Sequence, residues 1–356
     1  MSNNNKAALP AESGKGSARK KSMTYGLALI IVSGILLLMV GLSLSVGRYH
    51  ISFRECWQIV FGALVSGTED MDPLSVATVM KLRFPRTVAA VIVGGSLALS
   101  GAAYQSIFKN PMVSPDLLGV SSGACIGAAI AILMDGNSAL IQIMAFVTGL
   151  AAVGLTTSIP RLIRSDSTTV LVLSGVVIGA LMSSIINIIK FVADPDDKLA
   201  EITYWMMGSF ATVTFKDMLP MLPTIFIPVA VMLFMRFRLN VLSLGDNEAR
   251  SLGVNLRKTR GIFILCSTLI TASCVCMCGN VGWVGLIIPH TARMMVGADN
   301  KRMLPIALLS GSIFMIVIDI LCRTLSAAEL KLGILTGVIG APFFIFILIK
   351  QHRSLQ

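Results

Sequence analysis

Cys274-x-Cys276-x-Cys278 puts three thiols close together, the kind of set that could hold a soft metal. At about 100° per residue a helix turns Cys276 well away from the other two. Small packing residues are therefore the preferred reading. His290, in Ile-Pro-His-Thr-Ala-Arg, could relay protons or bind metal, but no second His or carboxylate lies near it in sequence. A structural hydrogen bond is preferred for it. Asp319 stands inside an apolar run, where an ionisable group is costly. Arg323 follows four residues later on the same helical face and offers an internal ion pair. Arg83 and Arg86 flank Pro85. From charge alone they read equally as snorkelling interfacial anchors or as a cationic patch meeting acids on an outside partner. There is no G-x-x-x-x-G-K-[ST], so no phosphate-cradling loop is expected here, and no nucleophile–base–acid set stands out.

The elements that must place these residues follow from composition. The chain has 356 residues, 55% hydrophobic and 13% charged. A soluble domain would carry roughly a quarter charged residues. Apolar runs of about 20 residues recur along the chain, which is the length of a membrane span. The expected fold is all-α, a polytopic bundle of about ten transmembrane helices. Its 31 glycines suit close helix packing in lipid. The net charge of +11 reads as membrane orientation rather than nucleic-acid binding.

In order, residues 1–22 read as a disordered basic cytoplasmic tail. Residues 23–350 form the ten-helix domain, and 351–356 a C-terminal tail. The first apolar run, Tyr25–Val46, is too long for a signal peptide's h-region and is retained as span 1. Ile51–Gly67 holds an amphipathic piece, and Glu69, Asp70 and Asp72 make an outside loop. Span 2 runs from about Pro85 to Phe108 and ends at Lys109-Asn110-Pro111. Ser114-Pro115-Asp116 is expected to cap span 3, with Gly119, Gly123, Gly127 and Ala131 on one smooth face. Spans 4 to 7 are expected at Ser138–Ile159, Thr169–Ile189, Met218–Met235 and Gly261–Cys278, with a short helix near Lys198–Met207. Spans 8 to 10 follow at Val281–Val296, Met303–Leu321 and Ile334–Ile349. Ten spans put both termini on one side, and the Lys and Arg bias places that side in the cytoplasm.

One stretch breaks the oil. Arg236–Arg260 is long, charged and patterned, with Leu244, Ala249, Leu252 and Val254 interleaved among Asp246, Glu248, Arg250 and Asn255. It reads as one or two short amphipathic helices outside the membrane. Their apolar face needs something to be buried against, and a separate soluble protein is the expected partner.

Three long motifs then resemble a known family: RFPRTVAAVIVGGSLALSGAAYQSIFKNPMVSPDLLGVSSG from Arg83, GNVGWVGLIIPHTAR from Gly279, and AAELKLGILTGVIGAPFF near the end. They are similar to the permease subunits of ABC importers for iron–siderophores, haem and vitamin B12. The resemblance implies a type II importer permease of ten helices in a bacterial cytoplasmic membrane, with no cofactor and no catalysis of its own. It implies a second permease subunit, a homodimer by preference, two cytoplasmic ATPases that bind the ATP, and an extracytoplasmic binding protein. It makes Leu244, Gly245, Glu248, Ala249, Leu252 and Gly253 the coupling helices that enter an ATPase cleft. It assigns Arg83, Arg86 and Arg323 to docking the binding protein, and Asn110, Pro111, Met112, Ser167 and Thr168 to an inner gate. Iron–siderophore is the expected cargo, with haem or vitamin B12 as alternatives. The rivals from other classes are an ion-gradient carrier using Asp319, a membrane enzyme using His290, and a structural scaffold.

Overall fold

The computed structural model describes residues 24–65, 67, 71–165 and 167–353, and every regular element in them is helical. The basic tail, Glu69, Asp70 and the last residues of the C-terminal tail lie outside the described residues. The helices are α1 (Tyr25–Ser45), α2 (Phe53–Val65), α3 (Pro73–Ala77), α4 (Phe84–Ile107), α5 (Val120–Leu133) and α6 (Ser138–Leu162). Next come α7 (Thr168–Val192), α8 (Lys198–Met207), α9 (Phe215–Met218), α10 (Leu222–Phe234) and α11 (Arg236–Leu244). The chain closes with α12 (Asp246–Ser251), α13 (Leu256–Cys278), α14 (Val284–Val296), α15 (Asn300–Thr324) and α16 (Leu332–Arg353). By length and composition seven helical runs can cross a membrane, and α5, α14 and α16 supply three shorter apolar helices. Together they fall where the ten spans were expected.

Two boundaries differ from expectation. Pro115–Leu118 is a 3-10 turn, and Gly119 adopts φ +80, so α5 starts at Val120 rather than at Ser114. Asp116 still serves the new start, since its Oδ1 accepts the Ser121 N–H at 3.0 Å. Gly119 thus leaves the smooth face that Gly123 and Gly127 form. Span 2 begins earlier than Pro85, within a continuous helical run Pro73–Ile107. Pro85 removes one N–H from the ladder, and the turn before it widens into a π segment, Thr78–Arg83, where the Phe84 N–H reaches back to the Val79 carbonyl.

α4 is the hub. Of its run's most apolar window 83% is buried, against 28% for α1, α6 and α7. Lipid tails are as apolar as leucine, so helices here gain from close contact rather than from leaving water. Glycines permit that contact. A Cβ on Gly94 would stand 2.3 Å from the Gly311 carbonyl oxygen of α15, and one on Gly101 would stand 1.9 Å from the Gly285 carbonyl oxygen of α14. α5 meets α6 the same way, with Gly127 against the Met144 carbonyl.

At the end of the bundle away from α11 and α12, buried arginines tie α1, α4 and α15 together. Arg86 Nε meets Asp319 Oδ1 at 2.6 Å, and its Nη1 meets Glu329 Oε2 at 2.9 Å. Arg323 Nε stands 3.4 Å from Asp319 Oδ2, and its Nη2 donates to the Ser43 hydroxyl and carbonyl. The Ser43 and Thr87 hydroxyls complete the set at 2.7 Å. Arg83 donates to the carbonyls of Leu44, Ser45 and Tyr49. The expected Asp319–Arg323 pair exists, and Arg86 is the stronger partner of the same carboxylate.

Gly101→Ala is expected to destabilise the folded chain by at least about 1–3 kcal/mol, because the methyl meets backbone that has no rotamer to yield. Gly154→Ala, where nothing lies within 4 Å of the added carbon, should leave the thermal transition in detergent unchanged. Asp319→Asn leaves two buried guanidiniums facing a neutral amide. Breaking a buried pair this way costs about 3–5 kcal/mol, so a steep loss of folded protein on size exclusion is expected.

Candidate functional site

The candidate site is the polar interruption at the end of the bundle where α4 stops and α15 starts. Gly245 makes the corner between α11 and α12. Its φ is +154, and the position a Cβ would take is filled by the Glu248 carboxylate. Gly253, at φ +75, ends the second helix. The Val254 N–H returns to the Ala249 carbonyl, as in a left-handed helix C-terminus.

The two helices are amphipathic, as expected, but their apolar residues divide. Leu239, Val241, Leu242 and Ala249 are buried in the core of this same chain. Leu244 and Leu252 point outward, 65% and 62% exposed, beside exposed Glu248. Ala249, which was expected on the face offered to an ATPase, is 0% exposed and serves as an inward anchor. The reason is where the helix stops: α12 ends at Ser251, so Leu252 is its cap and leaves the face that Ala249 occupies.

Two polar networks fasten this element to the spans. Asp246 Oδ1 accepts from Arg260 at 2.7 Å, at the start of α13, and lies 3.7 Å from Lys109 Nζ, just past the end of α4. Partial burial pushes the Asp246 carboxyl up, but the hydrogen bond and charge of Arg260, with Lys109 and Arg250, outweigh it and leave the pKa below the usual carboxylate value. On the α11 side, Asn240 Nδ2 donates to Asp299 Oδ1 at 2.6 Å, and Asn240 Oδ1 accepts the Asn300 N–H at 2.8 Å. The Ser106 hydroxyl of α4 then donates to Asn300 Oδ1 at 2.8 Å. Burial raises Asp299 slightly, while the Asn240 bond and the Lys301 N–H bring it below its ordinary value. The pairings of Lys109 with Asp246 and of Asn240 with Asn300 carried no signal in the sequence, because the partners lie far apart in the chain.

The residues expected at an inner gate sit close to these networks. The Asn110 side chain accepts the Met112 N–H at 2.9 Å and shapes the Asn110-Pro111-Met112 turn directly after Lys109. Ser167 and Thr168, at the start of α7, line a cavity of about 1140 Å³ together with Asp246 and Arg260. Asn110, Pro111 and Met112 do not line it.

The three docking arginines are not placed as expected. Arg83, Arg86 and Arg323 are 5%, 8% and 6% exposed and are engaged by carbonyls and carboxylates of their own chain. The physical reason is their burial at the α1–α4–α15 junction, where an unpaired guanidinium is costly and an internal partner offsets that cost. A charge reversal at Arg86 therefore strikes the fold itself, not a free surface patch.

The other candidates resolve into packing. Cys276 Sγ contacts the Gln142 carbonyl of α6 and Cys278 Sγ the Cys274 carbonyl of its own helix, so Cys276 turns away from the other two as helical spacing requires. Among the described residues no group of His, Cys, Asp and Glu is arranged to hold a metal ion. His290 is half-buried in α14. Its Nδ1 lacks a hydrogen-bond partner among the described residues, so the expected structural bond is not made at that nitrogen.

Comparison with known proteins agrees with this geometry. The FecCD transport family matches residues 35–350. A molybdate import permease of Haemophilus influenzae is 35% identical over 93% of this chain and 96% of its own length. A Helicobacter pylori permease named for iron chelatin transport is 35% identical over 93% and 99%. Permeases named for hemin and vitamin B12 are also similar. A solved structure described as an inward-facing metal-chelate type ABC transporter superposes with TM-score 0.80 and 33% identity, covering 92% of this chain and 100% of that one. The chain is an integral membrane protein and belongs to the FecCD transport family, whose members are permease subunits of ABC importers.

Proposed function

We propose that two copies of this chain form the pore of an importer for an iron(III)–siderophore or related metal chelate in a bacterial cytoplasmic membrane. Two separate ATPases drive it, and an extracytoplasmic binding protein delivers the cargo. Both termini and the α11–α12 element lie in the cytoplasm. The observation that carries this reading is the outward pair Leu244 and Leu252 on an element riveted to the spans. Exposed leucines on a polar turn lose nothing by burial in a partner, and their anchors make the turn a lever rather than a flap.

The lever has two arms. Motion of α12 reaches the Asn110-Pro111-Met112 turn through Asp246 and Lys109. Motion of α11 reaches the end of α4 through Asn240, Asn300 and Ser106. Both arms converge on α4, so closure of the ATPases moves the gate. ATP itself stays on the partners. The choice of an iron chelate over molybdate, haem or vitamin B12 is supported by the relative named for iron chelatin and by the metal-chelate structural neighbour. An ion-gradient carrier is disfavoured, since its one intramembrane acid candidate, Asp319, is enclosed between two arginines.

Reconstitution with ATPase and binding protein in liposomes is expected to show ATP-dependent uptake of a radiolabelled ferric siderophore. Uptake without ATP, or uptake of molybdate, haem or cobalamin in its place, overturns the reading. Gly245→Pro cannot reach φ +154 from the proline range near −65° and should uncouple: hydrolysis persists while transport falls at least tenfold. Asp246→Asn should lower transport per ATP several-fold by weakening both of its cationic contacts. Because the folded pKa of Asp246 is depressed, its contribution is present above the ordinary carboxylate pKa. It is lost only as pH falls through the lowered value, so wild-type coupling should fade there and the Asn variant should show no such step.

A further inference from the structure

The cavity beside the coupling element, which Ser167 and Thr168 also line, has exposed cations that the proposed lever does not use. Its mouth, where α6 ends and α7 and α13 begin, carries Arg161, Arg164, Arg250, Arg257, Lys258 and Arg260. Asp246 is the one carboxylate among its described lining residues, and Asp166, in the same loop, lies outside the described residues. Arg161, Arg164, Arg257 and Lys258 form no ion pair among the described residues and are exposed. Behind them the walls turn apolar, with Leu150, Val153, Gly154, Leu171, Ile264 and Leu265. Leu150 lies about 18 Å up α6 from its last residue, Leu162, at 1.5 Å per residue. Thr268, which also lines the cavity, lies about as far up α13 from Leu256. One leaflet of a bilayer's hydrocarbon core is about 15 Å deep.

We infer that this cavity is a binding site for one anionic phospholipid of the leaflet on the α11–α12 side, with its phosphate among the mouth arginines and an acyl chain along α6 and α13. Charge and depth together select this occupant. Cations at the helix ends attract an anionic headgroup, and a slot one leaflet deep with apolar walls matches a chain. A soluble anion needs no such slot, and an uncharged lipid needs no such mouth. The site also bears on the lever. Arg260 pairs with Asp246 and Arg250 faces it, so the lipid phosphate and the coupling carboxylate share the same cations.

The test is native mass spectrometry of the detergent-solubilised permease with its ATPase, titrated with phosphatidylglycerol or phosphatidylcholine. Phosphatidylglycerol is expected to bind at least tenfold more tightly. Arg161→Gln, Arg164→Gln and Arg257→Gln together should weaken it by roughly a hundredfold; all three side chains are exposed, so the triple variant is expected to fold. Gly154→Leu fills the slot from a position with nothing within 4 Å and should weaken it at least tenfold with every charge intact. The inference is overturned by equal retention of the two lipids, or by unchanged retention in either variant. It is also overturned if inorganic phosphate displaces the lipid, or if the ATPase removes lipid that the permease alone retains, since the occupant is then a free anion or the ATPase.

Discussion

Backbone-to-backbone approach at α4 is the constraint from which the rest follows. Gly94 lies on Gly311, and Gly101 lies on Gly285, at separations that exclude even a methyl group. In lipid, helices of larger residues would keep their greasy faces equally satisfied by acyl chains, and nothing would favour one arrangement. Close glycine contact is what makes α4, α14 and α15 a single rigid unit.

Charge is placed at the two ends of that unit in different ways. At the α1–α4–α15 junction the arginines are enclosed, with Asp319 0% exposed between Arg86 and Arg323. There, ion pairs act as internal clamps, and their removal leaves an uncompensated charge in a poorly solvated place. At the α11–α12 end the ion pairs are half-exposed, with Asp246 reaching both Lys109 and Arg260. Pairs of this kind add little stability but tie together elements that are otherwise only adjacent. The same family of side chains thus acts as a clamp at one end and as a linkage at the other, and solvent access makes the difference.

The α11–α12 element combines burial and exposure in a short piece of chain. Ala249, Leu239 and Leu242 fasten it to the core, and Leu244 and Leu252 stay exposed. A helix wholly amphipathic toward one side could do only one of these. The Gly245 corner is what permits two short helices to share the work, since a single straight helix would carry the outward residues apart.

Hydrophobic periodicity and length were enough to read ten apolar segments, the interruption at Arg236–Arg260 and the divergence of the three cysteines, because each is a local property of spacing. The Asp319–Arg323 pair was legible for the same reason, being one helical turn apart. The break at Gly119 and the π turn before Pro85 were not, since a cap-like Ser-Pro-Asp and a proline each admit more than one local geometry. The arginines misled because a charge near a helix end reads alike whether it faces water or a buried acid. Only the tertiary structure brought Arg86 to Asp319, Asn240 to Asn300 and Lys109 to Asp246. Those partners are separated by long stretches of chain, and the side-chain types alone do not say which donor meets which acceptor. The sequence by itself determined what had to be buried in lipid; the packing of one helix against another decided which polar groups remained to act.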